Sequence, residues 1–284
     1  MTRARLIPSS LTYHARSHVG TLLGAIVASA VLTGSLVVGD SVKKTLQDQA
    51  KQRLGHTQAA LQQHDRFFRS ELALELELGE RAFTSAMLRL NAAGYVENDE
   101  GEISHRANSI QLIGIDDAFW NFALLKADKP SALSDGEALI NPRLAKQLDD
   151  LKIGEKFRLH IAKPSVLPRD APLSVAEDLT MRLSLTVAKV TSKQSELANF
   201  SLRPGAVEPY NVFVPLSWLQ AKADLPGRAN VMLAADVSPN GVSDLVQIAN
   251  AQLKAKWQLA DAELELRTIA TNHFIELRTG RIFL

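Results

Sequence analysis

The sequence predicts an α+β protein: one N-terminal transmembrane helix with a stalk, then a mixed α/β extracytoplasmic domain with a smaller β-rich part. Three observations lead there. Residues 17–39 contain no Lys, Arg, Asp or Glu, and about 20 apolar residues suffice for a helix to cross the hydrocarbon core of a bilayer. No comparable run occurs in residues 40–284. Beyond residue 55, short apolar runs alternate with cap residues and Gly turns, the pattern of mixed strands and short helices.

Residues 1–16 read as a cytoplasmic amphipathic lead-in with Arg3, Arg5 and Arg16, in which Pro8 fits only a first helical turn. Ala28-Ser29-Ala30 has the small-x-small form of a signal cleavage site. The apolar character continues past it through Val31, Leu32, Leu36, Val37 and Val38, so residues 17–39 are read as a retained anchor. Three basic residues precede the span and Lys43, Lys44, Lys51 and Arg53 follow it. That near tie leaves orientation open, and a long domain translocates regardless of such charges.

The span carries a packing pattern. Gly20, Gly24 and Ala28 recur every four residues, and Ala30 with Gly34 and Ser35 with Gly39 repeat the spacing. Small residues on one face let membrane helices approach closely, although Gly and Ala are also common in such helices generally. After the span, Val42, Leu46, Ala50 and Leu54 form a four-residue stripe among charged and amide side chains, and Gly55 is placed to end the helix. Residues 40–55 are therefore expected to be a stalk helix needing an apolar neighbour.

The rest, residues 56–284, is assigned to the extracytoplasmic domain. A strand is expected over 57–61 and a helix capped by Asp65 over 66–73, with helix favoured again over 72–78. Strands over 83–96 and 109–115 are joined across Asn98-Asp99-Glu100-Gly101-Glu102, and 116–123 is a loop or short helix carrying Phe119, Trp120 and Phe122. A strand over 136–140 leads to Asn141 as a helix cap with Pro142 at the first position; Leu144, Ala145 and Leu148 give that helix an apolar face. A Gly turn at 152–156 and a strand over 157–161 complete a compact α+β unit. Strands are expected over 183–190, 212–214 and 231–235. A helix over 243–259 should turn Leu245, Ile248, Ala249 and Leu253 inward.

Composition narrows the function classes. The chain has 32 basic and 31 acidic residues, which gives no global field for nucleic acid, and no interleaved basic and aromatic patch is seen. It has no cysteine, which excludes disulfides and thiolate chemistry. No P-loop, G-x-S-x-G or H-E-x-x-H sequence occurs. His14 and His18 share a helix face without a third metal ligand nearby, and Glu71 with Glu75 reads better as a solvated acidic surface than as an acid and base pair. No catalytic, cofactor-binding or metal-binding residue is named. Phe67-Phe68, the Phe119 to Phe122 group and Trp218 are read as core rather than as a binding surface.

In order along the chain, TYHARSHVGTLLGAIVASAVLTGSLVVGDSVKKTL, RANSIQLIGIDDAFW, DGEALINPRLAKQLDDLKIGEKFRL and VFVPLSWLQ together resemble the N-terminal part of FtsX-like and MacB-like ABC transporter permeases. The resemblance implies a porter-like α/β domain with a smaller β-rich part outside the inner membrane, followed by further membrane helices. It implies as partners an ABC-type ATPase subunit, other permease helices and a second permease in a dimer, with ATP hydrolysis on the separate subunit. On this reading the chain, ending on Ile282-Phe283-Leu284, is an N-terminal piece whose extracytoplasmic domain continues beyond it. The alternative is a single-span sensor or adaptor whose outer domain binds a ligand or protein.

Overall fold

The computed structural model describes residues 13–63, 66–97, 102–123, 129–130, 133–162, 180–203, 207–237, 242–269 and 274–279. Residues 15–51 and 52–279 fall into two separate units. The first is helical: α1 runs unbroken from Ala15 to Leu54, so the expected span and stalk are one helix. The lead-in up to residue 12 lies outside the described residues, as do Asp65 and the turn at 98–101.

The second unit is built on strands. After β1 (Ala59–Gln62), β2 (Phe68–Arg69) and the single turn α2 (Leu72–Glu75) come two long partners, β3 (Ala82–Glu97) and β4 (Ile103–Ile115). A 3-10 turn (Asp117–Asn121), β5 (Glu137–Ile140), α3 (Pro142–Gln147), β6 (Lys156–Ala162) and β7 (Thr180–Val190) follow. The chain continues through α4 (Glu196–Asn199), β8 (Tyr210–Pro215), α5 (Leu216–Lys222), β9 (Arg228–Ala229), β10 (Val231–Asp236) and α6 (Val242–Lys256). A second 3-10 turn (Leu259–Ala262) leads to the hairpin β11 (Leu264–Ile269) and β12 (Phe274–Thr279).

Eight strands form one sheet in the order β1-β10-β3-β4-β8-β5-β7-β6, and β6 also pairs with β3. That last pairing closes β3, β4, β8, β5, β7 and β6 into a barrel. β3 can serve both neighbours because it is long: residues 82–87 pair with β10, and residues 92–95 pair with β6. The pairings β4–β8 and β5–β7 are parallel and the others antiparallel. A register shift between Ala92 and Gly94 bends β3 where β6 joins it. A Cβ at Gly94 would lie 2.6 Å from Ile110 Cδ1 and 3.0 Å from Leu159 Cδ2, so any larger residue there would displace those two methyl groups.

Alternation divides the core in two. In β6 and β7, Phe157, Leu159, Ile161, Leu183, Leu185 and Val187 are buried and their neighbours are not. These side chains join Leu88, Leu90, Ile110, Leu112, Val212 and Val214 on the face that lines the closed sheet. On the opposite face, Met87, Ile113, Leu139, Phe213, Val231 and Leu233 pack under Phe119, Trp120, Phe122, Leu197 and Phe200. The expected aromatic clusters are thus core, including Phe67, Phe68 and Trp218.

Several expectations need correction. Residues 68–69 form a strand paired with Arg228–Ala229 instead of a helix, and helix over 72–78 shrinks to one turn at 72–75. Tertiary pairing overrides the helix preference of Glu and Leu here. α6 ends at Lys256, and Ile248 is 40% exposed while Leu245 is buried. Helices α4 and α5 were not foreseen, being one and two turns long with little period to read. Two two-stranded sheets, β2–β9 and β11–β12, make the smaller β parts.

The α3 unit matches expectation and shows a buried polar bolt. Asn141 Oδ1 accepts from Leu144 N–H (3.2 Å) and from Asn211 N–H (3.1 Å), while its Nδ2 donates to Ala198 O (2.7 Å) and Pro209 O (2.8 Å). One fully buried side chain therefore caps α3 and ties α4 and β8 to it. Asn141→Ala is expected to lower the unfolding free energy by about 2–4 kcal/mol, since it strands several buried partners. The exposed Lys146→Ala should change it by less than about 0.5 kcal/mol. Urea unfolding of both variants checks the difference.

Candidate functional site

α1 is long and apolar enough to cross a membrane, and none of its described residues is buried. Its 40 residues extend about 60 Å, twice the roughly 30 Å of a hydrocarbon core. Nothing lies within 4 Å of a Cβ built at Gly20, Gly24 or Gly34, so the small-residue face is open. Val42 follows Gly24, and Leu46 follows Ala28, by five full turns of an unbroken helix. Gly24 and Ala28 of the small face and Val42 and Leu46 of the apolar stripe therefore lie along one side. Val42 is 53% and Leu46 60% exposed.

In the second unit, residues 54–58 form the first of two joints. Gly55 has φ +59°, and a Cβ there would collide with the Phe122 carbonyl oxygen. That left-handed, side-chain-free residue ends the helix and lets His56 N–H donate to Phe122 O at 2.9 Å. Phe122 is itself buried against Phe83, with ring centroids 4.6 Å apart. Gln58 then grips β10: its N–H donates to Ala234 O (3.1 Å), its Nε2 to Asp236 O (2.8 Å), and its Oε1 accepts from Asp236 N–H (3.0 Å).

The second joint is ionic and holds the turn that precedes the hairpin. Arg69 Nε and Nη2 donate to Asp261 Oδ1 (3.0 Å) and Oδ2 (3.1 Å), and its Nη1 and Nη2 donate to Glu75 Oε1 (2.7 Å) and Oε2 (3.2 Å). Arg69 N–H and Gln258 N–H also donate to Asp261, at 3.0 and 2.9 Å, so this fully buried carboxylate has four donors. Those are all the acceptor sites it offers. Arg228 Nη1 donates to Ala260 O (2.6 Å), and Phe67 N–H donates to Glu263 Oε1 (3.3 Å). β2, β9 and residues 258–263 are thereby locked together.

Hydrogen bonding from Arg69, with its charge, holds the Glu75 carboxyl below its ordinary value, and hydrogen bonds to Glu75 and Asp261 hold the guanidinium further above its own. Sequence reasoning placed Glu75 on a solvated surface beside Glu71. Glu75 is indeed a third exposed, and it is also a clamp residue, while Glu71 is the exposed N-cap of α2. A sequence signal existed only in hindsight, because Arg69 and Asp261 are 192 positions apart. Both joints meet the β9–β10 segment, the first through Ala234 and Asp236 and the second through Arg228.

Among the described residues no group of three His, Cys, Asp or Glu is placed to hold a metal ion. His14, just before α1, and His18 within it lie edge to face, with ring centroids 6.3 Å apart. His160 instead meets the Tyr95 hydroxyl at 3.2 Å. An open cleft of about 410 Å³ lies between Asp116, Trp120, Leu216 and Gln220. Its Asp116 is occupied, accepting from Ser85 Oγ (2.6 Å) and Phe119 N–H (2.9 Å).

The model of the MacB-like periplasmic core domain family matches residues 19–249. The chain belongs to that family. It is therefore a member of the ABC-transporter permease family and a membrane protein with an extracellular domain. Among solved structures, the periplasmic region of MacB from Actinobacillus actinomycetemcomitans is similar at 11% identity, covering 81% of this chain and 92% of that one, with a TM-score of 0.45. The extracellular domain of the noncanonic ABC-type transporter YknZ from Gram-positive bacteria is similar at 10% identity, covering 69% and 94%, with a TM-score of 0.36. No curated protein matches the sequence.

The clamp of this MacB-like domain generates a pH prediction. Because the folded value of Glu75 is depressed, its contribution is present above the ordinary value of 4.5 and is lost as pH falls through the folded value. Glu75→Gln should be less stable than the parent at pH 7, and the gap should narrow below pH 4.5 in melts across that range. Asp261→Asn removes the buried charge opposite Arg69 and should lower the unfolding free energy by about 3 kcal/mol.

Proposed function

We propose that the protein is the permease subunit of an ABC transporter, coupling ATP hydrolysis on a separate ATPase subunit to export or mechanotransmission across the envelope. On this reading residues 1–16 are a cytoplasmic lead-in, 17–39 span the inner membrane, 40–55 are the stalk and 56–284 are extracytoplasmic. Two permeases assemble as a dimer, with other membrane helices seated on the face of Gly20, Gly24, Ala28 and Gly34. The stripe of Val42, Leu46, Ala50 and Leu54 packs on a neighbouring stalk.

The observation that carries the reading is the unbroken helix from Ala15 to Leu54 ending in a joint built from Gly55, His56 and Gln58. A helix resists bending and compression, so displacement at one end reaches the other. A lone anchor needs no such joint. Ion pairing at Arg69 serves the same end, since a clamp with two bidentate carboxylates tolerates load in a defined direction.

Gly55→Val should leave membrane insertion and ATPase assembly intact while lowering transport-coupled ATP turnover at least tenfold in the reconstituted complex. Gln58→Ala, which keeps the backbone unstrained, should lower it less. Normal turnover with Gly55→Val in a folded complex overturns the coupling role. Gly24→Leu should reduce co-purification of the other membrane helices, because it fills the close-approach face without loss of hydrophobicity. Ile26→Leu, on the far side of the helix, should not, and equal recovery with both variants removes the packing role.

A further inference from the structure

The hairpin β11–β12 is a two-stranded sheet of its own. Such a pair is marginally stable in water unless further strands or an apolar cover are added. One of its faces is apolar and uncovered: Leu266 and Leu277 stand directly opposite each other and are 56% and 58% exposed, and Ile275 beside them is 72% exposed. On the other face Glu265 is opposite Arg278, and Arg267 is opposite Glu276.

The two strands carry the same tripeptide. Glu265-Leu266-Arg267 and Glu276-Leu277-Arg278 both read Glu-Leu-Arg. In antiparallel pairing this motif is complementary to itself. With Leu against Leu at the centre, each Glu falls opposite an Arg, which is the register the hairpin adopts within one chain. Opposite charges directly across a ladder favour a pairing, and like charges disfavour it. β11 continues directly from the clamped 258–263 segment, and among the described residues β12 pairs with no strand other than β11.

We propose that β12 pairs antiparallel with β12 of a second copy of this chain, about a two-fold axis through Leu277. Leu277 then lies against the second copy's Leu277, and Glu276 lies against the second copy's Arg278 in both directions. Two hairpins become one four-stranded sheet, β11-β12-β12-β11, in which charges alternate in sign along each row. The central row is four leucines. An edge strand is a template for another chain, and the repeated motif sets the register that a generic edge leaves open. The pairing is isologous, so it closes at two copies. It rests on the reading that two permeases assemble, and names the surface by which their outer domains meet.

The absence of native cysteine makes the test direct. Directly opposed residues in antiparallel strands have Cα atoms about 4.5–5.5 Å apart, within reach of a disulfide. Leu277→Cys in the full chain in membranes should therefore give an oxidised dimer with itself. Leu266→Cys would lie three strand spacings, about 14 Å, from its own copy, and Ile275→Cys is displaced along the strand by a similar distance. At least tenfold more cross-linked dimer with Leu277→Cys than with either is expected. Equal or greater cross-linking with Leu266→Cys overturns the proposal in favour of pairing through β11 or face to face.

A second measurement separates contacts between chains from contacts within one. Arg267→Glu with Glu276→Arg keeps opposite charges within the hairpin but places like charges across the two-fold axis. Glu265→Arg with Arg278→Glu does the same with the other sign. Each double variant, carrying Leu277→Cys, should lose cross-linking alone and regain it when the two are co-expressed, as a heterodimer. Full cross-linking of either alone overturns the register. Tagged parent copies that co-purify while Leu277→Cys fails to cross-link sink this surface and leave the dimer standing. Copies that do not co-purify sink both.

Discussion

Strand β3 has to satisfy different neighbours along one edge, and the rest of the domain is arranged around that requirement. Its first third is held by β10 and its last third by β6, while β4 runs along the other edge over most of its length. Backbone groups along a buried strand need partners. Sixteen residues are more than one short neighbour can cover. The sheet closes on itself where β6 returns, and Gly94 is the position at which Ile110 and Leu159 approach the backbone most closely. What lies before that closure stays open and accepts β10 and β1, and through them the residues that follow the long helix.

The two joints use different physics for related ends. At Gly55 the contact is backbone to backbone, with a left-handed residue and a buried carbonyl, so its strength depends on shape and on the aromatic packing of Phe122. At Arg69 it is charge-assisted, with one guanidinium shared by two carboxylates. Taking Asp261 out of water is costly, and four donors offset that cost. Such a pairing contributes geometry more than net stability. The hairpin that follows this clamp presents apolar side chains to solvent.

Legibility along the sequence followed the range of the interactions involved. The helix from 15 to 54 was readable because its determinants are local: an uncharged run, a four-residue stripe and a terminal glycine. Asn141 was readable as a cap because cap, proline and apolar face lie within eight residues. Its second role, tying Ala198 and Pro209 to the same side chain, was not. Residues 66–71 were misread as helix from a cap at Asp65, whereas Phe68 and Arg69 pair with residues 161 and 159 positions further on.

By itself, then, the sequence determined that the protein carries a long apolar helix running on to Leu54, that an α+β domain of MacB-like type follows, and that its aromatic clusters belong in a core. Those properties are set by period, composition and neighbours within a few turns, which an unfolded chain already possesses. Only the tertiary structure decided that the sheet closes into a barrel, that Glu75 is a clamp residue, and that Arg69 meets Asp261. Each depends on groups far apart in the chain being brought within hydrogen-bonding distance. That proximity arises when apolar burial and strand pairing are satisfied together, and no local pattern records it.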